Sequence, residues 1–338
     1  MTQLLADNID QLDLALDQLA MKDRNFDRFA ILLIDNVVEL TLHRYAKDQQ
    51  VLEQSGSSSC DSKKMRKALG NYFGDKVDFA EKQELINQKT SKSIQKLHDF
   101  RNTSYHQGLR HEGVLHSLAI FYFRNTCTLL RAYKPPFWMW NGSDKISHRA
   151  MKYLGTLSSG NPSDYFMAAY ERLDELVASM EEDLICDLAD DMTRSTDSTN
   201  ENIHLIAAND SNPRERDAAV IFGQSYYEAE NSREMANFTV ETFKKSKKTK
   251  KDSWFEAQSG KEFLEWLISD YNWSVKSDPI PGWRSQHKTL RSQTNYHKAL
   301  EQYCNFMRNT YDVRLALEES ADALDHFIEM ESEVMRGK

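Results

Sequence analysis

Apolar residues recur at spacings of three and four along most of this chain, and the residues that would interrupt a helix are scarce. Only 12 glycines and 6 prolines occur among 338 residues, and no stretch alternates apolar and polar residues in the manner of a strand. A backbone with that period and so few breakers is suited to the α-helix, whose turn lines up positions i, i+3, i+4 and i+7 on one face. The expected fold class is all-α.

The stripes can be followed in order. Leu5, Ile9, Leu12, Leu16 and Leu19 lie on one face of a first helix. The pattern lasts under three heptads, so it reads as a helix on its own core more readily than as a coiled-coil seam. Phe26, Phe29, Ala30, Leu33, Ile34, Val37, Leu40 and Thr41 give residues 24–48 a broad apolar face, suited to burial in a bundle. A Ser/Gly connector follows at Glu53–Lys63, then a short basic helix. Residues 76–105 predict a long helix or a broken pair. Val114–Tyr133 is the most apolar segment, but it is short for a membrane span and contains Arg124, so it predicts a buried core helix ended by Pro135-Pro136.

This organisation predicts an N-terminal helical domain over 1–135, a loop-rich connection with one helix over 136–216, and a C-terminal helical domain over 217–338. No fixed-period repeat is visible. Cys60, Cys127, Cys186 and Cys304 are scattered, without a CxxC pair, which points to thiols in a reducing compartment and against a structural zinc site. Met1–Ala20 carries four aspartates and no basic stretch before an apolar run, so it reads as neither a signal peptide nor a membrane segment. A cytoplasmic location, no membrane partner, no metal and no cofactor are the expectations. A net charge of −9 excludes a fold that is cationic as a whole, so any nucleic-acid contact must be local.

One stretch carries chemistry: Asp99-Phe100-Arg101-Asn102-Thr103-Ser104-Tyr105-His106. Arginine offers a permanently charged planar fork to phosphate oxygens, and histidine gives or takes a proton near neutral pH. On a straight helix Arg101 and His106 diverge by about 140°. His106 lies nearer Asn102, at i and i+4. Asn102 is therefore expected to orient His106 or touch phosphate, and Arg101 to turn inward at the helix end. The stretch resembles the R-(N/D/H)-x(3–5)-H signature of HEPN domains, over roughly residues 20–135.

The resemblance implies a helical bundle and a metal-independent endoribonuclease that leaves a 2′,3′-cyclic phosphate and a 5′-hydroxyl. His106 would be the general acid/base, Arg101 the transition-state clamp and Asn102 the positioning residue. It further implies a homodimer with a composite site, a prokaryotic stress-response or phage-defence setting, and a regulatory protein partner. Gly108 stands where one HEPN branch carries a modified tyrosine, so regulation by that route is not expected.

Looser arginine–histidine spacings occur at Arg110/His116 and Arg291/His297; the latter reads as a degenerate second unit or as coincidence on a charged helix. The run Lys244, Lys245, Lys247, Lys248 is a local cationic patch that suits an RNA backbone, with Trp254 and Phe255 nearby for stacking, or else a solvated loop. The competing functional reading is a non-catalytic helical module that binds a nucleotide, RNA or a protein partner.

Overall fold

The computed structural model describes residues 2–57, 60–106, 112–138, 145–155, 161–180, 183–208, 213–231, 243 and 257–337. Among them every regular element is helical, as expected, and no strand occurs. The side chains of 103–106, 112 and 257–260 lie outside the description.

The chain forms two units, Met1–Asp191 with Gln293–Glu301, and Met192–Ser292 with Gln302–Lys338. In the first, α1 (Thr2–Leu19) and α2 (Arg24–Gln54) pack as a hairpin, with Asp23 capping α2 through the Asn25 amide. The α1 stripe of Leu5, Ile9, Leu12, Leu16 and Leu19 is buried throughout. On α2 the buried face is Ala30, Ile34, Val37, Val38 and Thr41, whereas Phe29 and Leu40, expected on it, are exposed. That face is narrower than the apolar sequence suggests.

α3 (Ser62–Ala68) is capped by Asp61. The segment 76–105 resolves into a broken pair, α4 (Phe73–Lys82) and α5 (Gln88–His106). Glu84, with φ of 59°, makes the turn between them, and Asn87 caps α5 through the Thr90 amide. A 3-10 turn at Glu112–Val114 leads into α6 (Leu115–Ala132), the expected core helix, which buries Leu118, Tyr122, Phe123, Cys127 and Leu130. α2 packs against α1, α4, α5 and α6, which makes it the centre of the unit.

The span 136–216, expected as a connection with one helix, instead holds α7 (His148–Leu154), α8 (Pro162–Ala178) and α9 (Leu184–Ala207). Ser147 and Asn161 cap the first two, and Pro162 begins α8 where its missing amide proton costs no helical hydrogen bond. α7 is tied to α1 by charge: buried Asp13 receives Arg149, Lys152 and the Tyr153 hydroxyl. Burial alone would raise the Asp13 carboxyl, but those three donors outweigh it and hold it low.

The second unit takes α9 from Met192 onward, α10 (Arg216–Asn231), α11 (Ala257–Ser269), α12 (Ile280–Arg291) and α13 (Tyr296–Met335) from Gln302 onward. His287 is buried between the Thr196 hydroxyl, at 2.8 Å, and the Phe306 ring. A satellite core gathers Phe243, Phe263, Trp266 and Leu267. None of the four cysteines is in a disulfide. No helix among the described residues is long and apolar enough to cross a membrane.

Candidate functional site

The last two turns of α5 carry Arg101 and Asn102, and the helix runs on to His106, as the sequence leads one to expect. Arg101 turns inward toward α2. Its Nε lies 3.6 Å from Oδ2 of Asp35, and its Nη1 donates to Oδ1 of Asn102 at 2.8 Å. The Asn102 amide oxygen therefore serves its neighbour Arg101. The side chain of His106 lies outside the described residues.

Asp35 is the hub. It is 2% exposed, on the α2 surface that faces α5 and α6. Besides Arg101 it accepts from Nδ1 of His98 at 2.9 Å and 3.1 Å, through both oxygens, and from the Tyr122 hydroxyl at 2.6 Å. A buried carboxylate demands such a set, since an unpartnered one would cost several kcal/mol (roughly) in desolvation. Full burial and the Asp35 charge push the Tyr122 hydroxyl well above its ordinary range, so it remains a donor. The His98 ring is stacked on Phe73, with centroids 3.8 Å apart and planes within 4°. Its plane is thus fixed from one side by α4 and its Nδ1 by α2.

Of these groups His98, Phe73 and Asn102 border a cleft of about 560 Å³, with Asp35, Tyr122 and Arg101 behind them. α5 lines it with Gln95, His98, Asp99 and Asn102, spaced three, one and three residues apart, which is one face of the helix. α2 contributes Glu39; α4 and the turn before it contribute Tyr72, Phe73 and Asp78. Glu39 is paired with Lys76 at 3.2 Å, and Asp78 accepts from Gln95 at 3.1 Å. Burial raises the Asp99 carboxyl, with His98 and then Lys96 pulling it back. Tyr72 is 72% exposed, and its ring lies across Gly74, where a Cβ would come within 2.9 Å of the ring. Glycine at that position lets the ring lie flat on the backbone.

Of the residues the sequence points to, Asn102 lines this cleft and Arg101 is held beside it; His98, Asp35 and Tyr122 are not legible in the pattern. The available signal was weak. His98 and Arg101 are spaced i and i+3 on one helix, and Asp35 interrupts an apolar run next to Ile34.

The other candidates fall elsewhere. His116 pairs with Asp27 at 2.7 Å, and Arg110 lies outside the described residues. Arg291 ends α12 and His297 is the second residue of the next helix, with a non-helical step at 292–295 between them, so the two do not share one helix. The His297 Nδ1 meets the Ser93 hydroxyl at 2.8 Å, and its ring meets Phe121 edge-on. Lys244, Lys245, Lys247 and Lys248, with Trp254 and Phe255, lie outside the described residues. No cluster of three or more metal-ligating side chains occurs among the described residues. Comparison with known proteins finds no matching family model, no matching curated protein and no matching solved structure.

Proposed function

We propose that this chain is a HEPN-type endoribonuclease that cleaves RNA without metal, with Arg101 and Asn102 at the phosphate and His106 as an acid/base group. The observation that carries the reading is a half-exposed guanidinium near the end of α5, braced on one side by Asn102, which lines the cleft, and on the other by buried Asp35. A braced arginine loses little freedom when it meets a phosphate, and its position is set before charge builds up on phosphorus. Cleavage by 2′-hydroxyl attack needs a base, an acid and a fixed cation. The products would be a 2′,3′-cyclic phosphate and a 5′-hydroxyl. The HEPN resemblance adds a homodimer and a role in prokaryotic stress response or defence; the local charge of Lys244, Lys245, Lys247 and Lys248 adds contacts to the RNA backbone.

The test is cleavage of an unstructured RNA oligonucleotide in EDTA by the wild type, Arg101→Ala and His106→Ala. Each variant should lose about 10²-fold or more while keeping its helical circular dichroism. Persistent cleavage by both folded variants removes the proposed roles.

The lining charge favours a second reading. Glu39, Asp78 and Asp99, beside the exposed Tyr72 ring, suit a donor-rich nucleobase better than a phosphate backbone. On this reading the chain is a non-catalytic module that binds nucleotide, RNA or a protein partner. Saturable nucleotide binding without any wild-type cleavage would decide for it.

A further inference from the structure

We propose that His98, oriented by Asp35, is a general base of this cleft; the inference rests on the ribonuclease reading above and adds to it a residue outside the HEPN-like signature.

The tautomer follows from the partner. A carboxylate only accepts, so the Nδ1 facing both oxygens of Asp35 at 2.9 Å and 3.1 Å carries the hydrogen. In the neutral ring the lone pair then resides on Nε2. That nitrogen belongs to a side chain that lines the cleft. Phe73 stacks on one face of the ring and favours this orientation. A neutral imidazole with a fixed tautomer, a buried carboxylate behind it and a cleft before it is the arrangement that lets histidine take a proton and hold the resulting charge.

A purely architectural histidine would also satisfy Asp35, but two observations go beyond that role. Asp35 already accepts from Tyr122 and faces Arg101, so it has partners without His98. His98 also shares its helix face with Asn102, four residues on, which holds Arg101. The base thus lies on the same wall as the residue that holds the cation. The acidic lining is partly offset, since Glu39 is paired with Lys76.

Nε2 of His98 takes the 2′-hydroxyl proton as the 2′-oxygen forms its bond to phosphorus. The bond from phosphorus to the 5′-oxygen breaks, and that oxygen leaves with a proton from an acid, His106 in the proposed site. Asp35 stabilises the imidazolium. Release of the proton from His98 to water, and uptake of one by His106, restores both. The signature alone offers one imidazole per chain; with His98 a single chain offers two.

The experiment measures single-turnover cleavage of an RNA oligonucleotide in EDTA by wild type, His98→Ala, His98→Asn and Arg101→Ala. Asparagine keeps an amide donor where Nδ1 stood and so preserves the Asp35 contact while removing Nε2. Both His98 variants should lose about 10²–10⁴-fold in rate, bind a non-cleavable 2′-deoxy oligonucleotide as the wild type does, and His98→Ala should regain at least about tenfold when imidazole is added. Cleavage by both His98 variants within twofold of wild type, with Arg101→Ala inactive, overturns this inference and leaves the nuclease reading standing. Loss of rate without imidazole rescue also overturns it, assigning His98 to the architecture. No wild-type cleavage overturns both.

Discussion

Asp35 shows how much one buried residue can decide and how little of that a sequence displays. Its three partners come from α5 and α6, more than sixty residues away in the chain. Nothing local to Ile34-Asp35-Asn36 announces them. Arg101 and Asn102 were legible because they are neighbours in a recognisable pattern; His98 was not, because its meaning depends on what α2 and α4 bring to it. The energetic weight of the hub can be tested apart from catalysis. Tyr122→Phe removes one donor to a carboxylate that keeps His98, and should lower unfolding free energy by about 1–2 kcal/mol. Asp35→Ala strands the fully buried Tyr122 hydroxyl and the inward-facing Arg101 together, and should cost about 3 kcal/mol or more. Urea titrations of the two variants check the order. An Asp35→Ala protein as stable as Tyr122→Phe would show that the cluster is held by packing alone.

At the scale of the helix, α9 explains why 136–216 was expected to be mostly connection. Its buried stripe runs Leu188, Met192, Thr196, Thr199, Ile203 and Ile206 at helical spacing, but its two middle positions are threonines. Their hydroxyls are satisfied inside the structure, Thr196 by His287 at 2.8 Å and Thr199 by the Ser195 carbonyl at 2.8 Å. Polar residues can therefore stand at core positions, and a reading by hydropathy breaks the stripe where the helix does not break. By contrast α6 was legible at once, because nearly every inward position is apolar. α10 passes close to α13 at Gly223, where a Cβ would meet Leu317 Cδ2 at 2.7 Å and Ile206 Cδ1 at 3.2 Å. The Ser320 hydroxyl also reaches the Gly223 carbonyl at 2.7 Å. Gly223→Ala gains roughly 1 kcal/mol of helix propensity but overpacks the crossing by roughly 1–3 kcal/mol, and should be net destabilising by about 1 kcal/mol. The Leu317→Ala change should cost measurably less in the Gly223→Ala background than alone, since each relieves the other. Additive chemical-denaturation values would show that the two helices do not touch there.

The whole molecule departs from the sequence reading in how the chain is shared out. A boundary near residue 135 followed the Pro135-Pro136 pair and the loop-rich stretch after it, whereas the first unit continues to Asp191 and then recovers Gln293–Glu301 from about a hundred residues downstream. Contiguous patterning cannot show such a return. That recovered segment seats His297 against Ser93 and Phe121 and pairs Glu301 with Lys92. Burial, with Lys89 adding repulsion, lowers the affinity of His297 for a proton. Burial does the same to His43 and His287. The sign follows: an unfolded histidine protonates near pH 6.5, while these three resist protonation when folded. Their contribution to stability is whole above that pH and declines as pH falls from the unfolded value toward the depressed folded ones. His297→Asn keeps a small polar group near Ser93 but does not titrate. Its urea midpoint should therefore fall less steeply than the wild type's between pH 7.5 and 5, with the two curves converging at the acid end. Because the carboxylates titrate alike in both proteins, they cancel in the difference. Parallel curves across that range would mean that His297 takes up its proton in the folded chain as readily as in water, and that the returning segment is not packed against the first unit in the way described.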